Sequence, residues 1–344
     1  MSLLEKNKRI KPSSYPWIWG IGILMLCVLL FGMTRSDGKT ESSQTLPADG
    51  APLGCVRILV AAKDRTSGLS DVMMLLSLDR DRGTLSVLQI PRDTYANFNN
   101  GSYRKINGAP TALGGMSELR EVMEEALGLT IHHYVRLGAD SFQKGVDALG
   151  GVEITLPESM DYEDPAQGLS IHLEKGTQIL DGEAAEWFVR YRADYVQGDL
   201  GRLDAQKLFL AALARKALEG RSPMKLVRLA TAMLTDVETD LGFSDLLMLA
   251  RSSMELSSES IFFVTAPGSD VWGKSGGSYY VLSAKAMERL LTSHFGKTEE
   301  GFDPKGYFLN RENADFYRIY ESDADFRIVS SKEIEEEGAA IPRT

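Results

Sequence analysis

Five short segments place arginine and aspartate where predicted strands or helices end. Asp64-Arg65 closes one apolar run, and Ser70-Asp71 opens the next. Ile90-Pro91-Arg92-Asp93-Thr94 ends a third, Phe188-Val-Arg190-Tyr-Arg192 ends a helix, and Gly198-Asp199-Leu200-Gly201-Arg202 opens another. In sheets flanked by helices, ligands bind beyond strand ends where loops converge. Paired carboxylates there suit a hard divalent cation, and several guanidinium forks suit phosphate oxygens. Arg190 and Arg192 would diverge on one continuous helix, whereas a break near Arg192 followed by the loop 193–201 would turn both inward. Strand ends also collect charge simply because they face solvent, so spacing alone leaves both readings open. Other chemistries are absent from the sequence. It contains no phosphate-binding P-loop, no Gly-x-Ser-x-Gly elbow and no His-Glu-x-x-His. His132, His133, His172 and His294 lack metal-ligand spacing, and Cys27 and Cys55 support neither a disulfide framework nor a cysteine-rich zinc site.

The elements that must position these residues alternate along the chain. Val56–Ala62, Val72–Leu78 and Thr84–Ile90 read as strands, the last two as a hairpin across Asp79–Gly83. Ser117–Leu127 has apolar residues at helical spacing and stops at Gly128. Strands are predicted over Ile131–Leu137, Val152–Leu156, Ile261–Thr265 and Tyr279–Leu282. Helices are predicted over Ser141–Leu149, Gly182–Arg192, Arg202–Leu218, Lys225–Thr235, Ser244–Met254 and Ala284–Leu291. The class is therefore α/β or α+β, one mixed central sheet with helices on both faces. Residues 55–300 form the main domain and 301–344 a C-terminal extension. From Tyr320 on, seven acids against three bases with few apolar residues predict a solvated, disordered tail.

A different pattern precedes the domain. Tyr15–Met33 holds no charge in 19 residues, flanked by Lys6, Lys8, Arg9 and Lys11 before it and by Asp37, Lys39 and Glu41 after it. As a helix it reaches roughly 28 Å, enough to span a bilayer core of about 30 Å. The basic flank predicts residues 1–14 inside and the rest on the extracytoplasmic face of a cell membrane. A cleaved signal peptide is the rival, but its apolar region is usually only about 7–15 residues and ends at a small-residue site not found here. The polar segment 34–54 has linker composition and spans roughly 25 Å root-mean-square. This tether favours substrates that live in the membrane. The chain has 344 residues and a net charge of −10, which argues against nucleic acid as a partner.

Taken in order, several motifs resemble the LytR–CpsA–Psr family. They are Val56-Arg-Ile-Leu-Val-Ala-Ala-Lys-Asp64, Ser70-Asp71-Val-Met-Met-Leu-Leu, Ile90-Pro-Arg-Asp-Thr94, Lys105-Ile-Asn-Gly-Ala109, Val146-Asp-Ala-Leu-Gly-Gly-Val152 and Val189-Arg-Tyr-Arg192 with Gly198-Asp-Leu-Gly-Arg202 and Gln206. Pro267-Gly268 and Gly277-Ser-Tyr-Tyr-Val281 resemble weaker elements found after that family's core. The resemblance implies a membrane-anchored phosphotransferase. Such an enzyme moves a glycopolymer (teichoic acid or capsule) from an undecaprenyl-pyrophosphate lipid to peptidoglycan through a phosphodiester. It further implies that Asp64 and Asp71 bind magnesium, that Arg65, Arg92, Arg190, Arg192 and Arg202 bind the pyrophosphate with Gln206 as polar neighbour, and that Asp93 orients an arginine or assists proton removal. An apolar tunnel for the prenyl chain would be lined from Leu208, Phe209, Leu213, Leu226, Leu229 and Met233, residues that suit an ordinary core equally well.

Some positions depart from the family pattern. Ala62 stands for a glycine, Leu69 and Ala205 for arginines, Val72 for a threonine, and Gly108 for an alanine. Each missing guanidinium removes a charge-assisted contact worth roughly 1.5–3 kcal/mol. Two alternatives therefore accompany the transferase: a non-catalytic polyprenyl-phosphate binder with a regulatory role, and a lipid pyrophosphatase that uses water as acceptor.

Overall fold

The computed structural model describes residues 54–63, 69–98, 105–156, 158–164, 169–191, 195, 199–219, 236–273, 276–298 and 301–337. The predicted membrane span, its flanks, the helix 225–235 and the site candidates Asp64, Arg65 and Arg192 lie outside these residues. Among the described residues no helix is long and apolar enough to cross a membrane.

Strand β1 (Cys55–Lys63) lies deep in a mixed sheet because Ile58–Ala62 is apolar at every position, the signature of a strand buried on both faces. It pairs antiparallel with β2 (Ser70–Asp79), which turns at Arg80–Gly83 into β3 (Thr84–Ile90). A short helical turn, Ile106–Gly108, leads into α1 (Ala109–Leu113) and α2 (Met116–Leu127), after which β4 (His133–Leu137) pairs parallel with β1. Helix α3 (Ala139–Ala148) follows. Then come β5 (Val152–Leu156), the hairpin β6 (Met160–Asp164) and β7 (Leu169–Leu173), and β8 (Gly176–Leu180), which pairs with β5. Helices α4 (Gly182–Arg190) and α5 (Asp199–Leu218) come next, then β9 (Val237–Thr239), α6 (Phe243–Ser253) and β10 (Ile261–Thr265). The hairpin β11 (Gly268–Trp272) and β12 (Ser278–Leu282) precedes α7 (Ala284–His294), α8 (Ala314–Glu321), β13 (Val329–Ser330) and α9 (Ser331–Glu337). The main sheet runs β13-β10-β3-β2-β1-β4-β9 among the described residues.

Two apolar clusters sandwich this sheet, divided by strand alternation. Ile58, Val60 and Ala62 join Phe142 of α3, Phe188 of α4 and Phe209 of α5 on one face. Leu59 and Ala61 join Leu119 and Met123 of α2, Leu290 of α7 and Phe316 of α8 on the other. The expected mixed sheet with helices on both faces is thus present. The sequence does not announce strands β6, β7 and β8, because β6 and β7 turn Asp161, Glu163 and His172 outward, while β8 sets Gln178 on its inner face and exposes Ile179.

The disordered-tail expectation is corrected for residues 320–337. Strand β13 pairs with the edge of β10 through Phe262–Ser330 and Phe263–Val329, and Val329 and Ile334 are buried. Acidic composition concealed this element because only its few inward residues pack. Arg57, wholly buried on β1, ties the sheet to the end of α7. Its Nε donates to Phe295 O at 2.9 Å, and its two terminal nitrogens donate to Thr130 O at 3.1 Å and Gly296 O at 3.4 Å.

Candidate active site

The hairpin register assembles the site. Asp79 pairs with Thr84 and Met73 with Ile90, so Asp71 and Arg92, two residues farther on, meet at the open end of β2 and β3. Arg92 Nη1 donates to Asp71 Oδ1 at 2.9 Å. The Asp71 side chain is 1% exposed and that of Arg92 18%, so this pair is shielded from water. Strand β1 ends at the same place, since Lys63 pairs with Ser70 after a register shift at Ala62. The chain therefore leaves the sheet toward residue 64 beside Asp71.

Helix α5 delivers the next charges. Asp199 occupies its first turn, where an acid complements the helix dipole, and Arg202 lies one turn on. Asp199 Oδ1 stands 2.5 Å from Arg202 Nη2 and 3.7 Å from Arg92 Nε, bridging the two guanidinium groups. Arg202 is 2% exposed. Gly201 permits the close approach of this turn to Tyr195, for a Cβ at 201 would lie 2.7 Å from the Tyr195 Cβ.

Asp93 sits at the rim. Its Oδ1 is 4.0 Å from Arg92 Nε and 2.9 Å from Lys105 Nζ. The Lys105-Ile-Asn segment is laced to the loop by Ile106 N donating to Thr94 O and Asn107 N to Arg92 O, which fixes the ammonium on Asp93. Tyr280 N donates to Asp93 O, and Tyr95 N to Tyr280 O, so the β11–β12 hairpin extends the same wall. Lys105 Nζ also lies 5.4 Å from the centre of the Tyr279 ring.

The electrostatics follow this crowding. Burial pulls the Arg92 guanidinium down, but Asp199, Asp71 and Asp93 outweigh it and leave its pKa raised. Desolvation, then repulsion from Asp199 and Asp93, pushes the Asp270 carboxyl up, which ties β11 to the site. Among the described residues Asp71, Asp93, Asp199 and Asp270 face Arg92, Arg202 and Lys105, so acids exceed bases by one. Hard carboxylate oxygens fit a cation such as magnesium in donor type. Among the described residues no three His, Cys, Asp or Glu side chains form a metal cluster, and Asp64 lies outside them.

Of the residues singled out by sequence, Asp71, Arg92, Asp93 and Arg202 converge. Arg190 ion-pairs with Glu186 one turn back at 2.9 Å, nearly buried, and Glu186 also accepts from Gln143. Gln206 is 1% exposed, and its Nε2 donates to Val189 O at 3.3 Å, locking α5 to the end of α4. Leu208, Phe209 and Leu213 belong to the aromatic core with Phe142 and Phe188, while Leu226, Leu229 and Met233 lie outside the described residues. The sequence marks Asp199 and Lys105 within motifs without giving either a role, and it does not mark Asp270. Asp199 had a legible signal, an acid three residues before an arginine in a helix's first turn.

The departures from the motif pattern fall mainly in the core. Ala62 pairs with Val72, and both join the apolar cluster. Ala205 is wholly buried in that cluster.

The model of the LytR_cpsA_psr family matches residues 28–295. Among curated relatives, a protein of Oceanobacillus iheyensis named polyisoprenyl-teichoic acid--peptidoglycan teichoic acid transferase TagU is 30% identical over 328 residues, covering 87% of this chain and 99% of its own. The crystal structure of Bacillus subtilis TagV superposes with a TM-score of 0.61 at 29% identity, covering 71% of this chain and 98% of that one. A structure of TagT bound to LI-WTA superposes with a TM-score of 0.56 at 25% identity, over 70% of this chain and 88% of that one.

Proposed function

Because the chain belongs to the LytR–CpsA–Psr family, we propose that it is a membrane-anchored phosphotransferase moving a teichoic-acid-type glycopolymer from a polyprenyl-pyrophosphate carrier to peptidoglycan. The carrier lipid is undecaprenyl in this reading, and residues 15–33 are its membrane anchor. One observation carries the proposal: Asp71, Arg92, Asp199 and Arg202 form a continuous ion-pair chain at the sheet's open end, with Asp71 and Arg202 buried and Arg92 and Asp199 half-buried. Such groups stabilise the charge that accumulates on phosphoryl oxygens, and phosphoryl transfer needs positioning and electrostatics more than covalent help.

An acceptor sugar hydroxyl attacks the phosphorus bearing the polymer. A new P–O bond forms, the P–O bond to the lipid phosphate breaks, and the hydroxyl proton leaves to a base or to solvent. Arg92 and Arg202, with Arg65, Arg190 and Arg192, hold the pyrophosphate oxygens, and Gln206 supports α5 behind them. Asp93, held by Lys105, orients Arg92 or takes the proton. Magnesium, when bound, would neutralise charge on the pyrophosphate, with Asp64 and Asp71 as its holders. The relatives named as teichoic acid transferases and the TagT complex with LI-WTA support this reading.

The test uses the full chain in detergent or nanodiscs, a lipid-pyrophosphate glycan and peptidoglycan fragments. Magnesium-dependent release of lipid phosphate with polymer joined to the acceptor is expected, lost in Asp71→Ala and Arg92→Ala. Release that proceeds equally without acceptor would instead identify a lipid pyrophosphatase. Unchanged turnover in both folded variants removes the mechanism.

A further inference from the structure

Beyond Asp93 the loop runs past Tyr95 to Asn97, and there it meets the C-terminal extension. Between them lies an open cleft of about 570 Å³, within the range typical of small-molecule sites. Tyr95, Asn97, Lys305, Asn310, Arg311 and Glu312 line it. Most of these lie past residue 295, where the family match stops.

The outer wall is built rigidly. Asp303, buried and in the left-handed region at φ 54°, accepts from Tyr307 N at 2.6 Å, Phe308 N at 2.8 Å and the Tyr320 hydroxyl at 3.2 Å. Burial pushes its carboxyl up to about 6. Phe308 stacks on Phe302 and meets Phe98 edge-on, while Asn97 N donates to Tyr307 O at 2.7 Å. A wall so braced costs little to order when a ligand arrives. One acceptor waits in it: Asn97 Oδ1 is buried and has no hydrogen-bond partner among the described residues. A buried polar atom of this kind calls for a donor.

We infer that this cleft binds a sugar ring of the acceptor glycan, holding the strand whose hydroxyl reacts near Asp93. The inference rests on the transferase reading above. Asn97 is four residues past Asp93, so cleft and site lie at most about 13 Å apart along the chain. The lining suits a neutral, polyhydroxylated, amide-bearing ligand. Two asparagines supply both donors and acceptors, and Tyr95 gives an aromatic edge. Lys305 is already paired with Glu125 at 2.5 Å, and the lining carries Asp303 and Glu312 against Lys305 and Arg311, so the cleft has no surplus charge to attract a polyanion. A prenyl chain would find no long apolar wall.

The full chain in nanodiscs, without donor, is titrated with an oligosaccharide of N-acetylated hexosamines and separately with a lipid-free polyol-phosphate polymer. Saturable binding of the first is expected, weakened at least tenfold in Asn310→Ala and Arg311→Ala. With donor present, both variants should raise the acceptor KM while leaving acceptor-free donor hydrolysis and the melting temperature unchanged. Equal oligosaccharide binding by the variants, or preference for the polyol phosphate, overturns the acceptor assignment. Failure of the transferase reading looks different: the unaltered chain would consume no donor, or would consume it equally with and without acceptor.

Discussion

Arg92 serves two purposes whose energies can be separated. It neutralises Asp71, which is almost wholly buried, and in the proposed reaction it also holds phosphate oxygens. Arg92→Ala leaves the Asp71 carboxylate buried without its guanidinium, a change that typically costs about 3–5 kcal/mol of stability. Loss of an arginine that stabilises a phosphoryl transition state typically lowers kcat by about 10³–10⁵, which corresponds to roughly 4–7 kcal/mol. Asp71→Asn placed on top of Arg92→Ala removes the buried charge that lost this guanidinium. Much of the lost stability should then return, giving a coupling on the order of 1–3 kcal/mol in a double-mutant cycle. Turnover should not return, since neither guanidinium nor carboxylate is restored. Denaturant unfolding and lipid-phosphate release on the three variants measure both quantities. Recovery of turnover together with stability would show that Arg92 is only a counter-charge. Loss of less than about 1 kcal/mol in Arg92→Ala would show that the pair is screened by water.

Further outcomes follow from other contacts. Arg57→Met should cost about 3–5 kcal/mol, since it strips donors from the carbonyls of Phe295, Thr130 and Gly296; a denaturant midpoint near that of the unaltered chain would contradict this. Gly201→Ala should cost about 1–3 kcal/mol and slow turnover, because the new methyl meets Tyr195 and shifts the turn carrying Asp199 and Arg202; unchanged values for both would dismiss the close approach. His172 Nδ1 and Nε2 lie 2.6 Å from Asp161 and Glu163, whose hydrogen bonds raise the imidazole pKa, Glu163 more than Asp161. The protonated ring therefore helps the β6–β7 hairpin below about pH 6.5, and this help fades as pH rises through the raised value. An imidazole NMR titration with its midpoint at or below about 6.5 would refute it.

The fold was legible where burial is complete and obscure where it is partial. Strands β1, β3, β5 and β10 are rich in apolar, often β-branched residues, so their run of side chains announces them. Strands β6 and β7 bury Met160, Ile171 and Leu173 but turn Asp161, Glu163 and His172 outward, and five residues of mixed polarity resemble a loop. Strand β13 is harder still. Its existence depends on an unpaired edge of β10 that is remote in sequence, and two residues carry no periodicity of their own.

The site divides along the same physical line. Asp71 opposite Arg92 follows from arithmetic on a hairpin, because a turn at Arg80–Gly83 that pairs Asp79 with Thr84 fixes every pair beyond it, including this one. That contact was available from sequence once the turn was placed. Asp199 against Arg92 was not, for it depends on how α5 lies across the sheet, and that angle is set by the contacts of Phe209 with Phe142 and Phe188 in the core. The same distinction explains the motif departures. Val72 and Ala62 face the core beside each other, while Asp71, one residue away, faces the site. Strand alternation thus lets apolar neighbours vary without moving the charges. A polar substitution at Val72 should therefore lower stability before it lowers turnover per folded molecule, whereas a change at Asp71 should lower both, in unfolding and in lipid-phosphate release.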